Sequence, residues 1–371
     1  MLFKDVVGQA DLKKQLQHMA LKGEIPHALL LAGEEGWGGM ALAIAFAQFI
    51  FCTQRQNEDA CGTCANCKKV SSLQHPDVHY SFPFEKADGK DTLSNEYFAE
   101  FRQFVQTKPY GTLGDWSKEI ESSKQLNITA VECREILRKL SMRAYEGGAK
   151  VLILWKPEML GNEGNIMLKF IEEPTANTYL LFVSENIEAI LGTIRSRAQL
   201  MPLKRIPVPD IQEALLRKGI SAEKALPLAR LAEGSYHHAL LLAEGGDDDF
   251  LLLTREWLNA IFQNKGVDLV RWADGLSSKN KDQQKNFLIY VLQLFEDTLR
   301  MKEMGAEHVL LLEQEARVAD NLIQKGLKSN QIAELNTIIN EAIYHLERNA
   351  HAKLLFHTLS LRTQAVLKPV A

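Results

Sequence analysis

The 371-residue chain has no excess of either charge: 43 lysines and arginines face 47 aspartates and glutamates, for a net charge of −4. That balance excludes a protein that coats phosphate over its whole surface, and leaves any role on nucleic acid to a local patch or to partners. No window reaches the ~18 uninterrupted apolar residues of a membrane span, and Met1 to Gln9 lacks a basic segment followed by an apolar one. A soluble, cytoplasmic protein is the expectation. Internal repeats and low-complexity tracts are also absent. Cysteine is scarce and odd in number, five in all, and four of the five (Cys52, Cys61, Cys64, Cys67) crowd between positions 52 and 67. A secreted disulfide framework would spread its pairs more widely, so metal chelation is favoured over disulfides.

With 46% hydrophobic and 24% charged residues, the chain reads as globular and long enough for two or three units. A helix-compatible segment, Ala10 to Lys22, leads to the apolar run Leu29 to Ala32. A glycine-rich turn, Gly33 to Gly39, follows, and Met40 to Phe51 resumes as a strongly apolar helix. Strand, glycine loop and helix in that order open a parallel α/β sheet. Further strands are expected at Lys150–Trp155 and Thr178–Ser184, with a helix over Asn162–Glu173 that stops at Pro174. Between them, residues 81–125 carry Tyr97, Phe98, Phe101, Phe104 and Val105 at helical spacing amid Gly89, Pro109, Gly111 and Gly114, a partly helical insertion. From Pro207 strand signals vanish, and Gly245 to Asp249 mark a boundary. Beyond it, Phe287, Tyr290, Val291, Leu294 and Phe295, then Ile332, Leu335, Ile338, Ile339, Ala342, Ile343 and Leu346, make the stripes of a helical bundle.

The glycine turn resembles a phosphate loop, whose backbone N–H groups face phosphate oxygens while a lysine reaches the β and γ phosphates and a hydroxyl holds Mg²⁺. Aligning Gly33, Gly36 and Gly38 puts Gly39 where the lysine belongs and Met40 where the hydroxyl belongs. The acidic pair that would hold magnesium after the next strand is missing too, since Val151–Leu154 runs into Trp155-Lys156-Pro157, with Glu158 only afterwards. Nucleotide hydrolysis is therefore not expected from this chain alone. The bland alternative is an unrelated strand-turn-helix with incidental glycines.

Cys-x2-Cys steps at 61, 64 and 67, with Cys52 upstream, let four thiolates converge on one tetrahedral ion, and an all-sulfur set selects Zn²⁺ in a closed, structural role. A redox dithiol and an iron-sulfur cluster are the competing readings. His75 and His79 are expected to be packing or loop residues, and Cys133 a buried apolar one. Arg197, in Thr193-Ile-Arg-Ser-Arg197, reads either as a surface charge or as a guanidinium that a chain without a working site of its own lends to a neighbour's γ-phosphate.

These residues are similar to the bacterial DNA polymerase III clamp-loader family, most closely its delta-prime branch, related to gamma and tau. The resemblance rests on Phe3-Lys-Asp-Val-Val-Gly8-Gln9, His27 to Gly33, the four cysteines, His75-Pro76-Asp77, Asn165 to Lys169 with Glu172-Glu173-Pro174, Thr193 to Arg197, and Ala232-Glu-Gly234-Ser235 with Ala239-Leu240. It covers Phe3 to Leu240, and the C-terminal helices only loosely, around Asn349-Ala350 and Leu354-Leu355.

The resemblance implies an AAA+ α/β core over residues 1–206, with the zinc module at 52–67 and the insertion at about 81–125. A helical lid over 207–246 and an all-α collar over 247–371 complete it. It further implies a hetero-pentamer with gamma/tau and delta subunits that loads the sliding clamp onto primed DNA. In that assembly this chain would be a non-hydrolysing stator, part of the polymerase holoenzyme, offering Arg197 in trans from Ser196-Arg197-Ala198, where the family's motif ends in cysteine. His237 stands where related lids often carry an arginine that senses nucleotide. The other classes to weigh are an autonomous gamma/tau-like ATPase and a zinc-containing DNA-binding module.

Overall fold

The computed structural model describes all residues except 57, 87–90, 123, 147, 245–249, 310, 349 and 369–371, so Gly89 and the boundary residues Gly245 to Asp249 lie outside the described residues. The chain divides into two compact units, Met1–Glu244 and Gly245–Ala371.

In the first unit, strand residues alternate between two cores. Leu29, Leu31, Val151, Ile153, Trp155, Leu181 and Val183 face one, and Ala28, Leu30, Leu152, Leu154, Leu180 and Phe182 face the other. Strands buried on both faces read as continuous apolar runs and need helices on each side, which is the condition for a parallel sheet. Five strands are described, β1 (Ala28–Ala32), β2 (Val78–Ser81), β3 (Lys150–Trp155), β4 (Thr178–Ser184) and β5 (Gln199–Pro202), in the order β2-β3-β4-β1-β5 and all parallel, with β5 mostly exposed at the edge. β1, β3 and β4 lie where the apolar runs place them. β2 and β5 carry no such run: each has four residues, one with His79 in its middle and the other ending in a proline at the sheet edge.

Helix α1 (Ala10–Lys22) and helix α2 (Gly39–Phe51) belong to the first core. α2 contains no charged residue and is buried nearly all round, as expected of a helix covered on every side. After α2 come α3 (Ala65–Ser71), the insertion helices α4 (Phe98–Thr107) and α5 (Leu113–Glu119), and α6 (Ala130–Ser141), which carries the fully buried Cys133 on the opposite core. The helix expected over Asn162–Glu173 takes another form. A 3-10 segment spans Pro157–Met167 with a break at Gly161 (φ +52°), and only α7 (Leu168–Glu172) is α-helical. Helix α8 (Gly192–Arg195) precedes β5, and α9 (Val208–Arg217), α10 (Ala222–Leu231) and α11 (Tyr236–Glu244) close the unit as a small helical lid.

Among the described residues the second unit is helical, α12 (Phe250–Phe262), α13 (Gly266–Ser277), α14 (Lys281–Met304), α15 (Glu313–Gln324), α16 (Ser329–Glu347) and α17 (Ala352–Leu367). Trp257 stacks on Trp272 at 5.1 Å, and its indole N–H donates to Ser360 Oγ at 2.9 Å. A parallel α/β core, a small helical group at its end and an all-α second unit are the architecture that the resemblance implied.

Candidate functional site

Ligands of open parallel sheets bind beyond the carboxyl ends of the strands, where neighbouring connections diverge. Here β1 lies between β4 and β5, and the glycine turn leaves β1 at that end. Gly36 (φ +78°) and Gly38 (φ +90°) hold left-handed backbone, and α2 starts at Gly39, so the loop has kept the cradle's turn and its helix N-terminus.

The chain itself fills the space above this turn. A Cβ on Gly38 would stand 2.7 Å from Cε1 of Tyr110, and one on Gly36 would collide with Ser235 Oγ and lie 2.9 Å from His237 Cβ. At position 39, where a lysine would start, a Cβ would lie 2.8 Å from Val183 Cγ1. What remains is a cavity of about 20 Å³ lined by Gly33, Gly36, Gly38, Tyr110, Glu185 and Leu203, among others. That is room for about one water, against the ~300 Å³ or more of an ordinary ligand pocket.

The charges around the turn also differ from those of a magnesium site. Lys156 follows β3 in a left-handed conformation (φ +60°), which costs a non-glycine residue about 1 kcal/mol. Its ammonium pairs with Glu185, beyond the end of β4, and lies 3.5 Å from Glu35 of the glycine turn. Burial lifts the Glu185 carboxyl to about 7, with the Lys156 ammonium pulling against that rise and Glu35 adding to it. Glu158 is turned to a structural task, accepting the Glu185 N–H at 3.1 Å. A fixed lysine thus sits among carboxylates after β3, and the loop presents Glu34 and Glu35, which repel phosphate, in place of a lysine.

Sequence reasoning found the defects of the loop but not its occupants. Tyr110 lies between Pro109 and Gly111, where a lone aromatic between two turn residues carries no periodic signal. His237, singled out as a lost cation, faces Asp115 of α5, with Nε2 to Oδ2 at 3.2 Å. Burial would raise the Asp115 carboxyl, but the Thr112 N–H and hydroxyl, and then His237, outweigh it and hold it below its ordinary value.

The four cysteines gather at the far end of α2. Cys52 caps that helix, Cys64 caps α3 and Cys67 lies within α3, and the four sulfurs are within 4.8 Å of one another. Zn–S bonds of ~2.3 Å in a tetrahedron require sulfur–sulfur edges of roughly 3.8 Å, and Cys61 Sγ and Cys67 Sγ stand 3.8 Å apart. Backbone N–H groups of Cys61, Cys64 and Cys67 donate to the sulfurs of Cys52, Cys61 and Cys64 at 3.2, 3.3 and 3.4 Å. The bond from the Cys64 N–H leads in drawing the Cys61 thiol down to about 6, whereas burial pushes Cys67 up. The donor set fits a tetrahedral metal ion. His75, whose ring lies tilted against Phe51 at 4.1 Å, and His79, in β2, are not part of it. Burial draws the His79 imidazole down to about 4.

Arg197 follows α8 and precedes Gln199, which pairs with Leu29 at the start of β1. It therefore lies at the amino end of the strands, whereas the cradle lies beyond Ala32 at their carboxyl end, roughly 10 Å further along the strand. The sheet keeps Arg197 from its own cradle. Its guanidinium donates to Glu172 through Nε at 2.6 Å and to the Thr193 carbonyl at 2.9 Å.

A family model described as DNA polymerase III, delta subunit, matches residues 8–207. DNA polymerase III subunit delta' of Bacillus subtilis (strain 168) is 25% identical over 360 residues, covering 96% of this chain and 96% of that one. The subunit of the same name from Escherichia coli (strain K12) is 28% identical over 350 residues, 92% of this chain and 90% of that one. DNA polymerase III subunit tau of Bacillus subtilis (strain 168) is 27% identical over 252 residues, 68% of this chain and 37% of that one.

Proposed function

The chain belongs to the DNA polymerase III delta-subunit family, and from that premise we propose that it is the non-hydrolysing, delta-prime-type stator of a clamp loader. In this reading it assembles in the cytoplasm with gamma/tau and delta subunits as a hetero-pentamer. It helps place the sliding clamp on primed DNA and supplies Arg197 to the γ-phosphate bound by a neighbouring ATPase. The observation that carries the reading is the closed cradle: a space of about 20 Å³ cannot take a nucleotide.

Each role follows from a chemical feature. With no lysine at 39, no hydroxyl at 40 and Lys156 paired with the carboxylate beyond β4, the loop lacks the side chains with which a phosphate loop holds magnesium and stabilises charge on a transferring phosphoryl group. Arg197 is out of reach of its own cradle and accessible enough to meet another. At the cysteine cluster the ion would be Zn²⁺, structural because all four positions are protein sulfur.

The test is reconstitution. The purified chain alone should turn over no ATP above background, and the complex containing Arg197→Ala should hydrolyse ATP and load clamps more slowly than the complex with the unaltered chain. Robust turnover by the isolated chain, or an Arg197→Ala complex as fast as the unaltered one, would overturn the proposal.

A further inference from the structure

The insertion reaches the cradle and the lid at once, through a short stretch at the start of α5. Trp116 anchors this stretch: it is fully buried, its indole N–H donates to the Pro83 carbonyl at 2.7 Å, and it meets Phe82 and Phe101 edge-on at 5.3 and 5.5 Å. Six residues earlier, Tyr110 covers the glycine turn, its hydroxyl accepting the Val7 N–H at 2.7 Å and its ring meeting Tyr236 of α11 edge-on at 4.9 Å. Asp115 faces His237 of the same helix, both side chains only 15% exposed. The lid completes the contact from its own side, with Tyr236 donating its N–H to the Gly36 carbonyl at 3.1 Å.

From this arrangement we propose that residues 109–116 form a built-in latch, a tethered occupant of the cradle that ties the lid helix α11 to the sheet so that its position does not depend on nucleotide. The inference rests on the reading above, in which the cradle does no chemistry, and gives the insertion its task. A nucleotide joins a core to a lid only while bound, and contributes in proportion to its concentration over its dissociation constant. A covalently attached side chain is always present. The buried aromatic contact and the Val7 bond then hold α11 continuously, as a stator requires.

The experiment is hydrogen–deuterium exchange on the full-length chain, following amides of 236–244 with and without 1 mM Mg-ATP, with 250–304 of the second unit as the internal reference. In the unaltered chain Mg-ATP should change nothing. Tyr110→Ala should speed exchange of α11 about tenfold or more, by local opening, and leave 250–304 at the unaltered rate. Should that variant lose its fold, Tyr110→Phe, which keeps the ring and gives up the Val7 bond, and Asp115→Asn, which gives up the charge facing His237, each predict about a threefold acceleration confined to α11. Unaltered α11 exchange in the variants that fold would overturn the latch, as would a rise in α11 protection with Mg-ATP in the unaltered chain. ATP turnover by the isolated chain would sink the stator reading, and the exchange comparison between Tyr110→Ala and the unaltered chain would still decide the latch.

Discussion

Two residues decide what this site can hold. Position 39 lacks the lysine of a phosphate loop, and the structure has closed around the gap, since a Cβ there meets Val183 at 2.8 Å. Gly39→Lys should therefore not restore hydrolysis. Overpacking against β4 costs about 1–3 kcal/mol, against which the better helix propensity of lysine returns under ~1 kcal/mol. The expected result is a lower melting temperature with ATP turnover still at background, and measurable turnover would show that the occlusion is not the block. At Lys156 the issue is pH. Glu185 has a folded pKa of about 7 against an ordinary 4.5, so folding takes up a proton, and the stability tied to its neutral form falls as pH rises from 4.5 to 7. Lys156→Met removes the cation that favours the ionised form and pushes that pKa higher still. Breaking a buried pair from one side costs up to ~3–5 kcal/mol, but here Glu185 can escape the cost by staying protonated. The destabilisation relative to the unaltered chain should therefore be roughly 1 kcal/mol larger at pH 8 than at pH 5.5, at ~1.4 kcal/mol per pKa unit. Denaturant unfolding at the two pH values measures it, and Lys156→Met/Glu185→Gln should abolish the difference.

Among the elements, α2 connects the two features the sequence marked. It starts at Gly39 in the cradle and ends against Cys52, so thirteen residues put roughly 18 Å between cradle and cysteine cluster. A metal at that distance braces α2, α3 and the loop between them, and takes no part in chemistry at the cradle. Cys64→Ser should remove the metal, read as one zinc per unaltered chain by elemental analysis. It should destabilise the first unit by about 4 kcal/mol, the scale of losing a structural metal, or ~10 °C for a unit of this size. Clamp loading by complexes that still assemble should be unchanged below that temperature. A metal-free chain with unaltered melting would rule out the bracing role. How legible each element was in the sequence depended on the range of the interactions that fix it. The ends of α1 and the apolar runs of β1, β3 and β4 are local signals and could be read directly. β2, with His79 mid-strand, and β5, with Gln199 and Pro202 at its ends, are strands only because β3 and β1 pair with them. The aromatic stripe of α4 announced a helix, but not that Phe101 would stack on Phe82 at 3.7 Å inside the main core. Nor could spacing show Tyr110 meeting Val7 across more than a hundred residues.

At the scale of the whole molecule, the polarity of the parallel sheet separates the closed cradle from Arg197, one at each end of the strands. In the reading proposed above, this arginine would therefore act at a neighbour's site and not at its own. Its arginine is held cheaply: the pair with Glu172 is partly exposed on both sides, and such pairs contribute ~0–1 kcal/mol. Transfer of the guanidinium to a phosphate is then opposed by little more than that. The same figure predicts that Arg197→Ala leaves the melting temperature within ~3 °C and the zinc content unchanged, so that any loss of rate in the complex is chemical. An arginine finger is worth ~10³-fold or more at the site it serves, but in the assembly proposed above one copy of this chain would face one ATPase. Steady-state ATP hydrolysis should therefore fall by the share of a single site, and by more only where the sites fire in sequence. Arg197→Lys, which keeps the charge and loses the planar fork, should fall between the two. Arg197→Ala and Arg197→Lys complexes that both match the unaltered rate would show that Arg197 is a surface charge, and would leave the chain a purely structural member of its assembly.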